Sequence, residues 1–123
     1  MSAAAALATI KLLKETLIGN AETVGRHLIS RLRSLMDKHS LIGDVRGLGL
    51  MIGVELVRNR ETKERAIEER GRLIQEMFRR GVLVLGAGRN AVRLAPPLVL
   101  TIDQADVVVD IFDQALTAVA KEA

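Results

Sequence analysis

The stretch over residues 88–98 limits the possible folds of this chain more than any other. It combines a glycine turn, an alternating run from Val92 to Leu94 around Arg93, and two consecutive prolines. The alternation predicts a short strand with two apolar side chains on one face and the guanidinium of Arg93 on the other. Because proline cannot donate a hydrogen bond to a sheet, this strand must end at Pro96 or lie at an edge.

Arg93 is the candidate ligand-binding residue of this stretch. An arginine fixed at the end of a strand presents a planar fork that matches the two oxygens of a carboxylate. Arginines at such positions are nevertheless most often plain surface residues. Spacing alone therefore favours a surface charge and leaves carboxylate binding as the alternative.

The N-terminal part predicts two helices separated by a break. Residues 2–17 are rich in alanine and carry leucine or isoleucine three or four positions apart, which is typical of a helix. Gly19 interrupts this pattern, and Asn20 is a suitable N-cap for a second helix that fades near residues 38–40. The small side chains at the start of the first helix permit close approach of another surface.

Two further helices are expected. The mixed charges of residues 58–72 and the apolar residues from Ile67 to Phe78 predict a helix with a solvated face that ends at Arg80 and Gly81. After the prolines, Thr101 and Gln104 have the spacing of a capping box. The apolar residues from Ile102 to Val119 then repeat with helical spacing, and aspartates occupy most of the opposite side, where solvation is the expected role.

Strands are predicted between these helices. Residues 41–57 suggest two strands joined by a turn near residues 47–49, and residues 82–85 suggest a buried strand before the Arg93 strand. The order of elements predicts one α+β domain over residues 1–123. In this domain, helices pack on one face of a small, mostly antiparallel sheet.

Composition argues against several classes of function. The formal net charge is +3, and the chain has two phenylalanines but no tryptophan or tyrosine. Without aromatic platforms for stacking bases, a nucleic-acid partner is not expected. No apolar run approaches the length of a membrane span, so no membrane partner is expected either. The absence of cysteine rules out disulfides and thiolate chemistry and is consistent with a cytoplasmic protein.

The pattern assigns no catalytic residue and no ligand of a metal or cofactor. His27 and His39 lack a cysteine or paired carboxylate at ligand spacing, so no metal site is expected. The glycines of residues 47–53 do not open a helix, as a dinucleotide-binding loop requires. The five lysines all fall at polar helical positions, where a Schiff-base lysine would not be desolvated.

Two motifs, in this order, resemble the C-terminal part of class III aminotransferases, which are pyridoxal-phosphate enzymes of the ornithine, acetylornithine and 4-aminobutyrate type. The first motif spans residues 45–56 and the second spans residues 90–98, while residues 2–8 resemble the alanine-rich helix that leads out of the large domain. The resemblance covers essentially the whole chain. It implies the small C-terminal domain of a fold-type I enzyme, in which Arg93 binds the carboxylate of an amino-acid substrate.

The resemblance also implies what this chain lacks. Nothing in it matches the cofactor lysine, the aspartate that pairs with the pyridinium nitrogen or the phosphate-binding loop of the large domain. Pyridoxal phosphate is therefore expected in a parent enzyme, and the chain alone is expected neither to bind it nor to transaminate.

Three alternatives stay open beside the aminotransferase domain. Racemases and aminomutases of the same family share these motifs. A stand-alone amino-acid-binding module is a candidate from another class. A homo-oligomerising domain is the third, since the apolar first helix would be exposed without a large domain.

Overall fold

The computed structural model describes residues 1–122. A single helical run opens the chain: α1 (Ser2–Leu12) continues through one π-helical turn (Leu13–Leu17) into α2 (Ile18–Ser34), and a 3₁₀ turn (Leu35–Asp37) ends it. The predicted break at Gly19 and Asn20 is wrong. Asn20 does not cap a helix, because its side-chain Nδ2 donates to the carbonyl oxygens of Leu98, at 2.6 Å, and Leu100, at 3.1 Å.

The two ends of this helical run pack differently. No residue of α1 is buried, whereas α2 buries Val24, Gly25, Leu28 and Leu32 along one stripe. At 1.5 Å per residue the run is roughly 50 Å long. Its first half therefore projects from the rest of the domain.

The strands form one antiparallel sheet. They are β1 (Ile42–Leu48), β2 (Met51–Asn59), β3 (Glu64–Arg65), β4 (Leu85–Ala87) and β5 (Ala91–Leu94), and the main sheet has the order β1-β2-β5-β4, with β3 paired to the far end of β2. The predicted turn between the first two strands is confirmed. The Arg93 strand, β5, lies inside the sheet and ends at Leu94, just before the prolines.

Two boundaries differ from the sequence expectation. The third helix, α3 (Ile67–Arg79), begins later than predicted, because Arg58 and Asn59 still belong to β2. The predicted buried strand at residues 82–85 is also wrong, since Leu83 is 81% exposed and the strand begins at Leu85. β4 is a short edge strand, and no further strand within residues 1–122 covers it.

The last helix, α4 (Ile102–Lys121), begins with the predicted capping box, in which the Thr101 side chain accepts from the Gln104 N–H and the Gln104 side chain accepts from the Thr101 N–H. Helices α2, α3 and α4 cover one face of the sheet, where Val45, Val54 and Val92 are buried. The predicted α+β class is confirmed.

One close backbone contact joins this helical layer to the sheet. Gly25 of α2 lies against Gly49, which has a φ of 57° in the turn between β1 and β2. A side chain at Gly25 would overlap the Gly49 backbone. Glycine at residue 25 is therefore what lets α2 approach the turn between β1 and β2.

Candidate functional site

The candidate site is the sheet face that no described helix covers. Residues paired across an antiparallel sheet point to the same face. Arg46 of β1 pairs with Gly53 of β2, Gly53 pairs with Arg93 of β5, and Arg93 pairs with Leu85 of β4. These four residues therefore form one row across the open face.

Arg93 is held firmly at its backbone and is free at its side chain. Its neighbours Val92 and Leu94 are buried in the core, while Arg93 itself is exposed. A Cβ placed at Gly53 would meet nothing within 4 Å, so the space beside Arg93 is open. Within residues 1–122, no ion pair or side-chain hydrogen bond engages the Arg93 guanidinium.

Arg46, at the other end of the row, is engaged instead. Its Nη1 lies 3.0 Å from Oδ2 of Asp44 and 3.4 Å from Oε2 of Glu55. The hydrogen bond to Asp44, together with the charge of Glu55, raises the pKa of Arg46 above its ordinary value. The open face thus carries two arginines, of which one is paired with carboxylates and the other is available to a ligand.

An apolar groove begins where β5 ends. It has a volume of about 520 Å³ and is bounded by α2, the turn between β1 and β2, and the segment after Leu94. Most of its lining is aliphatic: Ile18, Ala21, Leu48, Leu50, Met51, Ala95, Pro96 and Leu98. Its nearest lining residue along the chain, Ala95, follows Arg93 by two positions.

The sequence pattern predicts that the aspartates of α4 are solvated, but two of them form ion pairs. Oδ1 of Asp106 lies 2.6 Å from His27 and 2.6 Å from Arg31. Asp113 lies 2.8 Å from Lys38 and 2.5 Å from the buried His39. These pairs join α4 to α2 and to the turn that follows α2.

The same pairs depress two carboxyl pKa values. The hydrogen bond from His27, followed by Arg31, lowers the pKa of Asp106. The hydrogen bonds from Lys38 and then His39 lower the pKa of Asp113. Across residues 1–122, no three histidine, cysteine, aspartate or glutamate residues are grouped so as to hold a metal ion.

The sequence pattern indicates Arg93 as a candidate but does not indicate its relation to Arg46, Asp44 and Glu55. Period-two alternation does place Asp44 and Arg46 on one face of β1. The register that brings Glu55 opposite Asp44 is a property of strand pairing, which alternation within one strand does not specify.

The chain belongs to the class III aminotransferases, whose family model matches residues 1–116. Enzymes of this family depend on pyridoxal phosphate. The resemblance stated from the two motifs is confirmed.

Individual relatives agree with this assignment. An alanine–glyoxylate aminotransferase 2 homolog of Arabidopsis thaliana is 42% identical over 120 residues, which cover 95% of this chain and 25% of the relative. A leucine/methionine racemase of Thermococcus litoralis is 40% identical over 116 residues, which cover 94% of this chain and 26% of the relative.

A solved structure matches equally well. An amine transaminase from an uncultivated Pseudomonas species, in its pyridoxal-phosphate-bound form, has a TM-score of 0.86 and 39% identity, with 94% of this chain and 27% of that chain covered. This chain spans about a quarter of the length of these three relatives.

The described residues do not fit the cofactor of the family. A lysine that forms a Schiff base needs desolvated surroundings, which lower its pKa. All five lysines of the chain are exposed: Lys11, Lys14, Lys38, Lys63 and Lys121. Residues 1–122 therefore contain no lysine in suitable surroundings.

In the same part of the chain, no helix has the length and apolar character needed to cross a membrane.

Proposed function

We propose that this chain is the C-terminal small domain of an amino-acid aminotransferase, of the 4-aminobutyrate or ornithine type, in which Arg93 binds the substrate carboxylate. The observation that carries this proposal is the contrast on the open face: Arg46 is paired with Asp44 and Glu55, while Arg93 is exposed and unpaired within residues 1–122. The cofactor and its lysine would belong to a large domain that faces this surface.

The proposed role of Arg93 is to orient the substrate. A guanidinium binds a carboxylate through two parallel N–H···O bonds, which fix the direction of the bound molecule as well as its position. The buried neighbours Val92 and Leu94 hold the strand in place, so the fork would have a defined direction. Such positioning makes a large contribution to catalysis when the reacting bond must be aligned.

The test is a kinetic comparison in a full-length polypeptide that carries residues 1–123 after a class III large domain. In Arg93→Gln we expect kcat/KM for an amino-acid donor to fall roughly hundredfold, which corresponds to about 3 kcal/mol for a bidentate charged pair. An amine donor that lacks the carboxylate should lose less than about threefold, since it makes no such pair.

Arg89→Gln is the matched control, because Arg89 is exposed in the turn before β5 and its loss removes the same charge. Equal losses for the acid and the amine donor in Arg93→Gln would contradict the proposal. Tight, Arg93-dependent binding of 4-aminobutyrate by the isolated chain would instead favour a stand-alone amino-acid-binding module.

A racemase is the second candidate. The similarity to the leucine/methionine racemase of Thermococcus litoralis, at 40% identity, supports it as strongly as the aminotransferase relatives support the first. In both, Arg93 would bind a carboxylate. Incubation of the full-length polypeptide with one enantiomer of an amino acid separates them, since a racemase forms the other enantiomer without a keto-acid acceptor. The aminomutase alternative would yield a positional isomer in the same assay.

We also propose that the protein acts in the cytoplasm and that the isolated chain self-associates through α1. Leu7, Ile10 and Leu12 are exposed on this helix, and apolar surface of this kind favours association. Light scattering at several concentrations should show a mass above that of a monomer. A monomer at every concentration would contradict self-association.

A further inference from the structure

Glu55 occupies a position between the two arginines of the open face. On β2 it lies two residues after Gly53, which pairs with Arg46 on one side and with Arg93 on the other. Glu55 is therefore diagonal to both arginines. Diagonal neighbours in an antiparallel sheet are separated by roughly 7–8 Å at their backbone, which long side chains can span.

Little stands between Glu55 and Arg93. The residue directly opposite Glu55 on β5 is Ala91, a buried residue whose side chain is a single methyl group. Gly53 has no side chain, and a Cβ there would meet nothing within 4 Å. A glutamate that turned toward β5 would therefore find an unpaired guanidinium within reach.

Glu55 is drawn to the other side by Arg46. Asp44 and Glu55 pair directly across β1 and β2, and two like charges in that position repel each other. Nη1 of Arg46 lies 3.0 Å from Asp44 and 3.4 Å from Glu55 and thus bridges the two carboxylates. Without this bridge, Asp44 would push Glu55 away from β1 and toward Arg93.

We propose that Arg46 is a positioning residue that holds Glu55 on the β1 side of the sheet and thereby keeps Arg93 free for its ligand. The inference rests on the proposed function only for the nature of that ligand, a carboxylate. Arg46 acts through Glu55 and does not itself need to touch the substrate.

The test measures how readily Arg93 reacts with phenylglyoxal in the 123-residue chain, by peptide mass spectrometry. Ion pairing slows this modification, so the rate at Arg93 reports whether Glu55 has reached it. The rate at exposed Arg89 in the same molecule is the internal reference. The quantity compared is the rate at Arg93 divided by the rate at Arg89. We expect this ratio to be about two- to fivefold lower in Arg46→Gln than in the wild type, the range expected for an exposed ion pair.

Two further variants separate positioning from a general structural effect. Arg46→Lys keeps a cation between the carboxylates, so the rate at Arg93 should be that of the wild type. The double variant Arg46→Gln/Glu55→Gln removes the competing carboxylate and should restore the wild-type rate at Arg93. An unchanged rate in Arg46→Gln, or a slow rate that persists in the double variant, would overturn the proposal.

A carboxylate arm distinguishes this inference from the proposed function. Glutarate added to the wild-type chain should protect Arg93 from phenylglyoxal and leave Arg89 unprotected if Arg93 binds carboxylates. If glutarate gives no protection while the variants behave as expected, the positioning role of Arg46 stands and the proposed function of Arg93 fails. If glutarate protects Arg93 but all variants react alike, the proposed function of Arg93 stands and the positioning role of Arg46 fails.

Discussion

On the inner face of the sheet Val45, Val54 and Val92 are buried beneath α2, α3 and α4, while Arg46 and Arg93, which directly follow Val45 and Val92, point outward. The inner face has its contacts within the chain: apolar side chains meet apolar side chains, and ion pairs join the helices. The open face keeps Arg93 unpaired within residues 1–122, and an apolar groove begins where β5 ends. The difference indicates that the inner face maintains the fold and that the open face is available to bind.

The largest loss of stability is expected at Gly25, where α2 contacts the turn between β1 and β2. We expect Gly25→Ala to lower the free energy of unfolding by about 3 kcal/mol, because the added methyl group would overlap the Gly49 backbone. Urea unfolding followed by circular dichroism measures this.

Gly19→Ala is the matched control in the same helix, since a Cβ there meets nothing within 4 Å. It should stabilise the chain by about 0.5–1 kcal/mol through helix propensity alone. A neutral Gly25→Ala would show that the close approach of α2 to the turn is not needed.

Arg60 gives the next largest effect. Its guanidinium donates to the carbonyl oxygens of Ile42 and His39, each at 3.0 Å, and also to that of Met36. Arg60→Ala removes this donor from all three carbonyls, of which that of His39 still accepts from the N–H of Ile42, and should cost about 2 kcal/mol in urea unfolding.

Arg65→Ala is the comparison for Arg60, because Arg65 is exposed in β3 and forms no ion pair within residues 1–122. Its change should stay within about 0.5 kcal/mol. Similar losses in the two variants would remove the special role of Arg60.

Acid should lower the free energy of unfolding by protonating two carboxylates of α4 that pair with neighbouring residues. The pKa values of Asp106 and Asp113 are lowered in the folded state, mainly by His27 and by Lys38 with His39. A carboxyl whose folded pKa lies below its unfolded value contributes stability above the unfolded pKa, near 4. That contribution is lost as the pH falls through the folded pKa.

The measurement is the free energy of unfolding between pH 6 and about 2. We expect a steep fall below about pH 4, and a shallower fall in Asp113→Asn. Glu61→Gln, in the exposed turn after β2, should leave the slope as in the wild type. A slope that Asp113→Asn does not change would contradict the assigned role of this pair.

The smallest effect on stability is expected at Arg93. Since its side chain is exposed and unpaired within residues 1–122, Arg93→Gln should change the free energy of unfolding by less than about 0.5 kcal/mol. A larger loss would assign Arg93 to the fold and would weaken the contrast between the two faces.

Local chemistry in the sequence predicted much of this architecture. The alternation around Arg93, the prolines after it and the Thr101–Gln104 capping box each act over a few residues, and each is confirmed. The helix break predicted at Gly19 and Asn20 is wrong, because the helix continues through the glycine. The Asn20 amide instead donates hydrogen bonds to a segment almost eighty positions away.

The site was predictable only in part for the same reason. The residue type and strand position of Arg93 are local features. The engagement of Arg46 by Glu55 depends on the register between β1 and β2, and the ion pairs of Asp106 and Asp113 depend on how α4 lies against α2. Such contacts arise from tertiary packing, which periodicity along one element does not encode.

The proposed role of Arg93 is tested most sharply by the ratio of kcat/KM for an amino acid to that for its carboxylate-free amine, in the full-length polypeptide that carries this chain. We expect Arg93→Gln to lower this ratio at least thirtyfold, about 2 kcal/mol, and Arg89→Gln to leave it unchanged. A ratio in Arg93→Gln equal to that of the wild type would contradict the assignment of Arg93 as the carboxylate-binding residue.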